Sequence, residues 1–98
     1  MDYEVRFPND SIAKKFQKAL ADVSPKELQD KIRRDALSLA SDPRPYGEPK
    51  LKPPLQVYNY VAQHRLRVGS FRILYDVDDK HRIVWILALR KRNEQTYQ

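Results

Sequence analysis

The stretch RLRVGSFRILYDV, residues 65 to 77, limits the fold most strongly, because it reads as a β-hairpin whose register is set by a two-residue turn. Gly69 supplies the positive φ that such a turn requires. Val68 then opposes Phe71, Arg67 opposes Arg72, Leu66 opposes Ile73 and Arg65 opposes Leu74. Period-two alternation places Leu66, Val68, Phe71, Ile73 and Tyr75 on one face, and Arg65, Arg67, Arg72, Leu74 and Asp76 on the other. The first set is a core face; the second is mostly positive charge. Like charges directly opposite each other destabilise a sheet by a few tenths of a kcal/mol up to about 1. A fold that keeps Arg67 across from Arg72 must therefore solvate the pair or use it.

The segments around the hairpin supply the elements such a sheet needs. Tyr3 to Phe7 alternates as a first strand, ended by Pro8-Asn9. Asn9 or Asp10 then offers a capping oxygen to a helix with apolar positions Ile12, Phe16, Leu20 and Val23, and with Lys14, Lys15 and Lys18 on its other face. Ser24-Pro25-Lys26-Glu27 reads as a capping box for a second helix with the apolar stripe Leu28, Ile32, Ala36 and Leu39 or Ala40, ended by Asp42-Pro43. Residues 42 to 54 hold five of the seven prolines and read as an extended connector. LQVYNYVAQH leads into the hairpin with no clear strand start, and Asp78-Asp79-Lys80 is a polar turn. RIVWILAL, Arg82 to Leu89, has the length and apolarity of a strand covered over much of both faces, and RKRNEQTYQ reads as a polar tail.

The order β-α-α-β-β-β predicts an α+β domain in which an antiparallel helical hairpin packs on one face of a small, mainly antiparallel sheet. The arginines are expected on the opposite face. With 98 residues there is room for one sheet-and-helix core, so residues 1 to 98 are read as a single domain. The absence of cysteine excludes a disulfide framework and a thiolate metal site. The start MDYEVRF has no apolar targeting region and no apolar run reaches 18 residues, so a cytoplasmic protein without membrane association is expected. The net charge of +6 is concentrated: residues 44 to 98 carry 11 Lys and Arg against 5 Asp and Glu, whereas residues 1 to 43 carry 8 of each. That asymmetry points to an anionic partner for the C-terminal part, nucleic acid first, with a surface made basic for solubility as the alternative.

The helical hairpin ending in Asp42-Pro43, the pair Lys50-Leu51, the hairpin RxRVGxxRILYxV and a closing apolar strand followed by Arg-Lys-Arg and a late tyrosine resemble the RelE/ParE toxin superfamily of type II toxin–antitoxin modules. The resemblance spans nearly the whole chain. It implies an endoribonuclease fold whose better-known branch cuts messenger RNA in the ribosomal A site. There the 2′-hydroxyl attacks the adjacent phosphate, the 5′-oxygen leaves and a 2′,3′-cyclic phosphate remains, without metal or other cofactor. Carried over by position, it implies catalytic roles for Arg65, Arg67, Arg72, Arg92 and Tyr97. The candidates for RNA contacts are the basic residues Lys50, Lys52, Arg90 and Lys91, together with Tyr58 and Tyr60, whose rings can stack on bases. The resemblance further implies a cognate antitoxin as partner, along with the messenger RNA and the ribosome.

Guanidinium groups suit the charge that accumulates on a phosphoryl transition state, where one lost donor is worth about 10²–10³ in rate. Arginine stays protonated and cannot be the base. The ribonuclease branch often has lysine on the first hairpin strand, where this chain has Arg65 and Arg67, so Tyr97 becomes the leading candidate for proton transfer, with Lys50, Lys52 and Lys91 behind it. Two other functions remain open: a ParE-like inhibitor of DNA gyrase, and a basic RNA-binding relative that does not cut. Each chosen residue also has a plainer reading. Arg65, Arg67 and Arg72 can be a solvated strand face whose stems cover Leu74, Arg90 to Arg92 an ordinary basic tail, and Tyr58 and Tyr60 one face of a strand.

Overall fold

A computed structural model describes residues 2 to 46, 51 and 53 to 91. Its elements are β1 (Glu4–Arg6), α1 (Asp10–Ala21), α2 (Lys26–Ser38), β2 (Leu55–Val57), β3 (Tyr60–Ala62), β4 (His64–Val68), β5 (Phe71–Asp78) and β6 (Ile83–Lys91). Four strands form a sheet in the order β1-β6-β5-β4, with β1 parallel to β6 and the other pairs antiparallel. The α+β class, the leading strand and the helical pair follow the sequence reading. So does the hairpin register, from Val68 opposite Phe71 to Arg65 opposite Leu74. Gly69 takes φ +58 and its neighbour does not, the pattern of a type II′ turn.

Both helices lie on one face of the sheet. Phe16, Leu20, Val23, Ile32, Ala36 and Leu39 meet Leu66, Val68, Ile73, Tyr75, Val84, Ile86 and Leu89 in the main core. Each fully buried Leu or Ile there stabilises the fold by about 1.5–3 kcal/mol. Asn9, not Asp10, caps α1, its side-chain oxygen accepting from the Ile12 N–H at 2.8 Å. The capping box at Ser24 does not form. The helix starts one residue later than expected, with Pro25 at the cap position and no side-chain cap. Ser24 is thereby one residue too early to reach the first turn, and the Pro25 carbonyl instead accepts from Leu28 and Gln29 N–H groups. Gln29 reaches back to close the end of α1, donating to the Val23 carbonyl at 2.7 Å. Helix α2 ends at Ser38, before Asp42-Pro43, because Ser38–Ser41 close into hydrogen-bonded turns of their own.

The sheet's second face differs from expectation. LQVYNYVA forms a separate two-stranded hairpin, β2 with β3, adding two strands to the expected order. Val57 and Ala62 from this hairpin bury Leu74, Leu87 and Ala88 in a second core, flanked by Leu51, Leu55, Tyr60 and Trp85. Leu74 is thus covered by apolar side chains and not only by arginine stems. Between Leu74 and Tyr75 the pairing with β6 shifts by one residue, since Leu74 faces Ala88 and Tyr75 faces Ile86. This bulge turns Leu87 and Ala88 together to the second core, which is why RIVWILAL reads as apolar without a break. The strand runs on through Arg90 and Lys91, so the first two residues expected in a polar tail are in the sheet.

Candidate active site

The longer β6 completes a row of three cations. Arg67 on β4 faces Arg72 on β5, and Arg72 faces Arg90 on β6. The Arg67 N–H points away from β5, donating to the Tyr46 hydroxyl at 3.0 Å, so Arg67 and Arg72 form the closer, non-hydrogen-bonded kind of pair. Their Cα atoms are then about 4.5 Å apart, and those of Arg72 and Arg90 about 5.5 Å. Arg72, in the middle, is 7 % exposed, while Arg67 is exposed and Arg90 half-buried. Arg65 lies on the same face, two pairs further along and opposite Leu74. Three guanidinium groups on adjacent strands of a rigid sheet can hold a phosphate and its neighbours bidentately.

The connector sets one wall beside the row. Arg44 grips Asp79 with both terminal nitrogens, at 2.7 and 3.2 Å, and Tyr3 donates to the same carboxylate. The Tyr75 hydroxyl donates to the Pro43 carbonyl at 2.8 Å. Burial pushes the Tyr75 phenol far above its usual range, so it stays protonated and keeps donating. The Arg44 hydrogen bonds, and then that from Tyr3, hold the Asp79 carboxyl below the usual carboxylate range. Fixed at Pro43 and Arg44, the chain brings Tyr46 to the outer edge of β4, where the residue is 54 % exposed beside Arg67. Tyr46 was not legible as a site residue, since only the fold puts this connector aromatic next to the hairpin.

The remaining site residues expected from the sequence are dispersed. Lys91 pairs with Phe71 and so lies on the helix-side face, away from the row. Tyr60 packs into the second core, and its hydroxyl accepts from the Asn9 side chain at 3.1 Å. Tyr58 is not a strand residue; it occupies the β2–β3 turn at φ +56. Lys50, Lys52, Arg92 and Tyr97 lie outside the described residues.

The comparisons with known proteins bear on the family and the fold. Residues 9–96 match the family model of the ParE toxin of the type II toxin–antitoxin system, parDE. The fold is similar to that of the toxin–antitoxin complex RelBE2 from Mycobacterium tuberculosis, with a TM-score of 0.63 and 25 % identity over 94 % of this chain and 100 % of that one. It is similar also to the archaeal RelE–RelB complex from Pyrococcus horikoshii, with a TM-score of 0.66 and 24 % identity over 96 % and 99 % of the two chains. An arginine double mutant of the E. coli toxin RelE in the free state aligns with a TM-score of 0.58 and 18 % identity, over 95 % and 86 %. No curated protein matches the sequence. The hairpin, the helical pair and the family model define a toxin of a type II toxin–antitoxin system. The chain belongs to the RelE/ParE family.

Proposed function

We propose that this toxin is an endoribonuclease that cuts messenger RNA, in the ribosomal A site, and that a cognate antitoxin holds it inactive. The observation that carries this reading is the row Arg67, Arg72 and Arg90 across three adjacent strands. The 2′-oxygen attacks phosphorus, the bond from phosphorus to the 5′-oxygen breaks, and a 2′,3′-cyclic phosphate forms. A base takes the 2′ proton and an acid protonates the departing 5′-oxygen. The arginine row stabilises the charge that builds on the phosphoryl oxygens, with Arg65 on the same sheet face, and Arg92 is assigned to the same role from the sequence. Proton transfer is assigned to Tyr97, with Lys50 and Lys52 as RNA contacts on the connector. An open row with few acid–base groups suits a ribosome that orients the strand, because orientation can supply several kcal/mol of the barrier.

The antitoxin is supported by relatives of this fold described as toxin–antitoxin complexes. A second reading, inhibition of DNA gyrase, is favoured by the description of the matching model as ParE toxin. Incubating the protein with translating ribosomes and a defined messenger RNA, and mapping new 5′ ends by primer extension, separates the two. The ribonuclease reading expects codon-phased cuts. Uncut messenger, together with trapped gyrase–DNA cleavage complexes, would replace it with the gyrase reading.

A further inference from the structure

Tyr46 stands where the arginine row runs off the sheet. The row crosses three strands, from Arg90 on β6 through Arg72 on β5 to Arg67 on β4, and among the described residues β4 ends the sheet on that side. Beyond Arg67, in the same line, is the Tyr46 hydroxyl, which accepts the outward-pointing Arg67 N–H at 3.0 Å. Neighbouring strands lie about 4.8 Å apart, so the phenol takes roughly the place where a further strand would run. The connector is tied at three points there: Pro43 by the Tyr75 hydroxyl, Arg44 by Asp79, and Tyr46 by the β4 backbone. An aromatic ring held in this way loses little further freedom when something binds to it. Satisfying an N–H at a sheet edge does not itself require an aromatic residue, since water serves as well. Tyr46 is nevertheless 54 % exposed, whereas Tyr75 is buried and Tyr60 packs into the second core.

We propose that the Tyr46 ring is the stacking platform for the base of the nucleotide that flanks the phosphate held by the arginine row. The proposal deepens the ribonuclease reading and rests on it for the choice of a single RNA strand as occupant. Such a strand, laid along the row, places its phosphates on guanidinium groups, and where it passes off β4 it meets the tyrosine. Every base has a π-face, so the platform accepts any of the four, and the larger face of a purine gives it a modest preference. Stacking fixes the nucleotide beside the scissile phosphate and so restricts the approach of the 2′-oxygen to phosphorus, which is an orientation effect. Tyr46 is thus a substrate-positioning residue, with the charge stabilisation left to the arginines.

The test measures the affinity of the full chain for a short single-stranded RNA that cannot be cut because every 2′-hydroxyl is methylated. One base is 2-aminopurine, whose fluorescence is quenched on stacking. Wild type, Tyr46→Leu, Tyr46→Phe and Arg67→Gln are compared over a range of salt concentrations. Tyr46→Leu is expected to bind about five- to hundredfold more weakly and to lose the quench, with the slope of log affinity against log salt unchanged, because stacking releases no counterions. Arg67→Gln is expected to lose about 0.7 from that slope. Tyr46→Phe keeps the ring and gives up the bond to the Arg67 N–H, and it is expected to recover most of the affinity and the quench. A Tyr46→Leu protein that binds and quenches like the wild type would overturn the proposal, as would a wild type that does not bind the strand. A salt slope that falls in Tyr46→Leu as it does in Arg67→Gln, or a Tyr46→Phe protein as weak as Tyr46→Leu, would make Tyr46 a support for Arg67 and not a surface for a base. Loss of antitoxin binding with RNA binding intact would give the ring to a protein partner and sink the proposal too. If the wild type shows the Tyr46-dependent quench but never cuts messenger RNA on ribosomes, the platform stands and the ribonuclease reading falls; cutting by Tyr46→Leu at the wild-type rate has the opposite meaning.

Discussion

Arg72 has a like charge directly opposite it on each side, Arg67 and Arg90, yet among the described residues it is buried, as His64 is. Each opposition costs a few tenths of a kcal/mol up to about 1. Removing the central charge relieves both, which offsets the packing lost with the arginine stem. Arg72→Ala is therefore expected to move the melting temperature by only a few degrees, while cleavage falls by about 10²–10³. A thermal melt beside a cleavage assay checks both halves, and a collapse of stability would make Arg72 a structural residue.

At the scale of elements, the hairpin turn joins two layers. An added Cβ on Gly69 would lie 3.1 Å from Leu28 Cδ1 on α2, and φ is +58. Left-handed backbone costs a side-chain-bearing residue roughly 1–2 kcal/mol. Gly69→Ala should destabilise the protein by at least that much in a denaturant titration, and an unchanged midpoint would contradict the packing described. This turn, the β4–β5 register and the two helical stripes were legible in the sequence because each follows from local periodicity or one special φ. The β2–β3 hairpin was not, because its turn is Tyr58-Asn59, with a bulky residue where glycine would signal a turn. Nor was Arg90 as the third member of the row, since a charge run after an apolar strand reads as a tail until the pairing partner is known. Ser24-Pro25-Lys26-Glu27 carried the pattern of a capping box, but the helix begins at Lys26 and leaves Ser24 outside it.

Over the whole molecule, the Arg44–Asp79 pair ties the connector to the β5–β6 turn, and Tyr3 adds the N-terminal segment to the same carboxylate. Because hydrogen bonding lowers the Asp79 pKa in the folded state, its stabilisation is complete above the ordinary carboxylate range and is lost as pH falls through the lowered value. Asp78, lowered chiefly by its hydrogen bond from the His81 side chain, adds in the same direction. The Asp79 carboxylate is solvent-exposed, so the effect is small. The melting-temperature gap between wild type and Asp79→Asn should shrink as pH falls through the acid range, and a gap independent of pH would contradict this assignment.

The row's proposed role in catalysis is tested most directly by the single-turnover rate at which wild-type protein, Arg72→Ala and Arg67→Ala cut a defined messenger RNA on ribosomes. Groups that act together on one phosphate predict a fall of about 10²–10³ for Arg72→Ala, and a double variant much less impaired than the product of the single losses. Full-rate cutting by the folded Arg72→Ala protein would contradict the account.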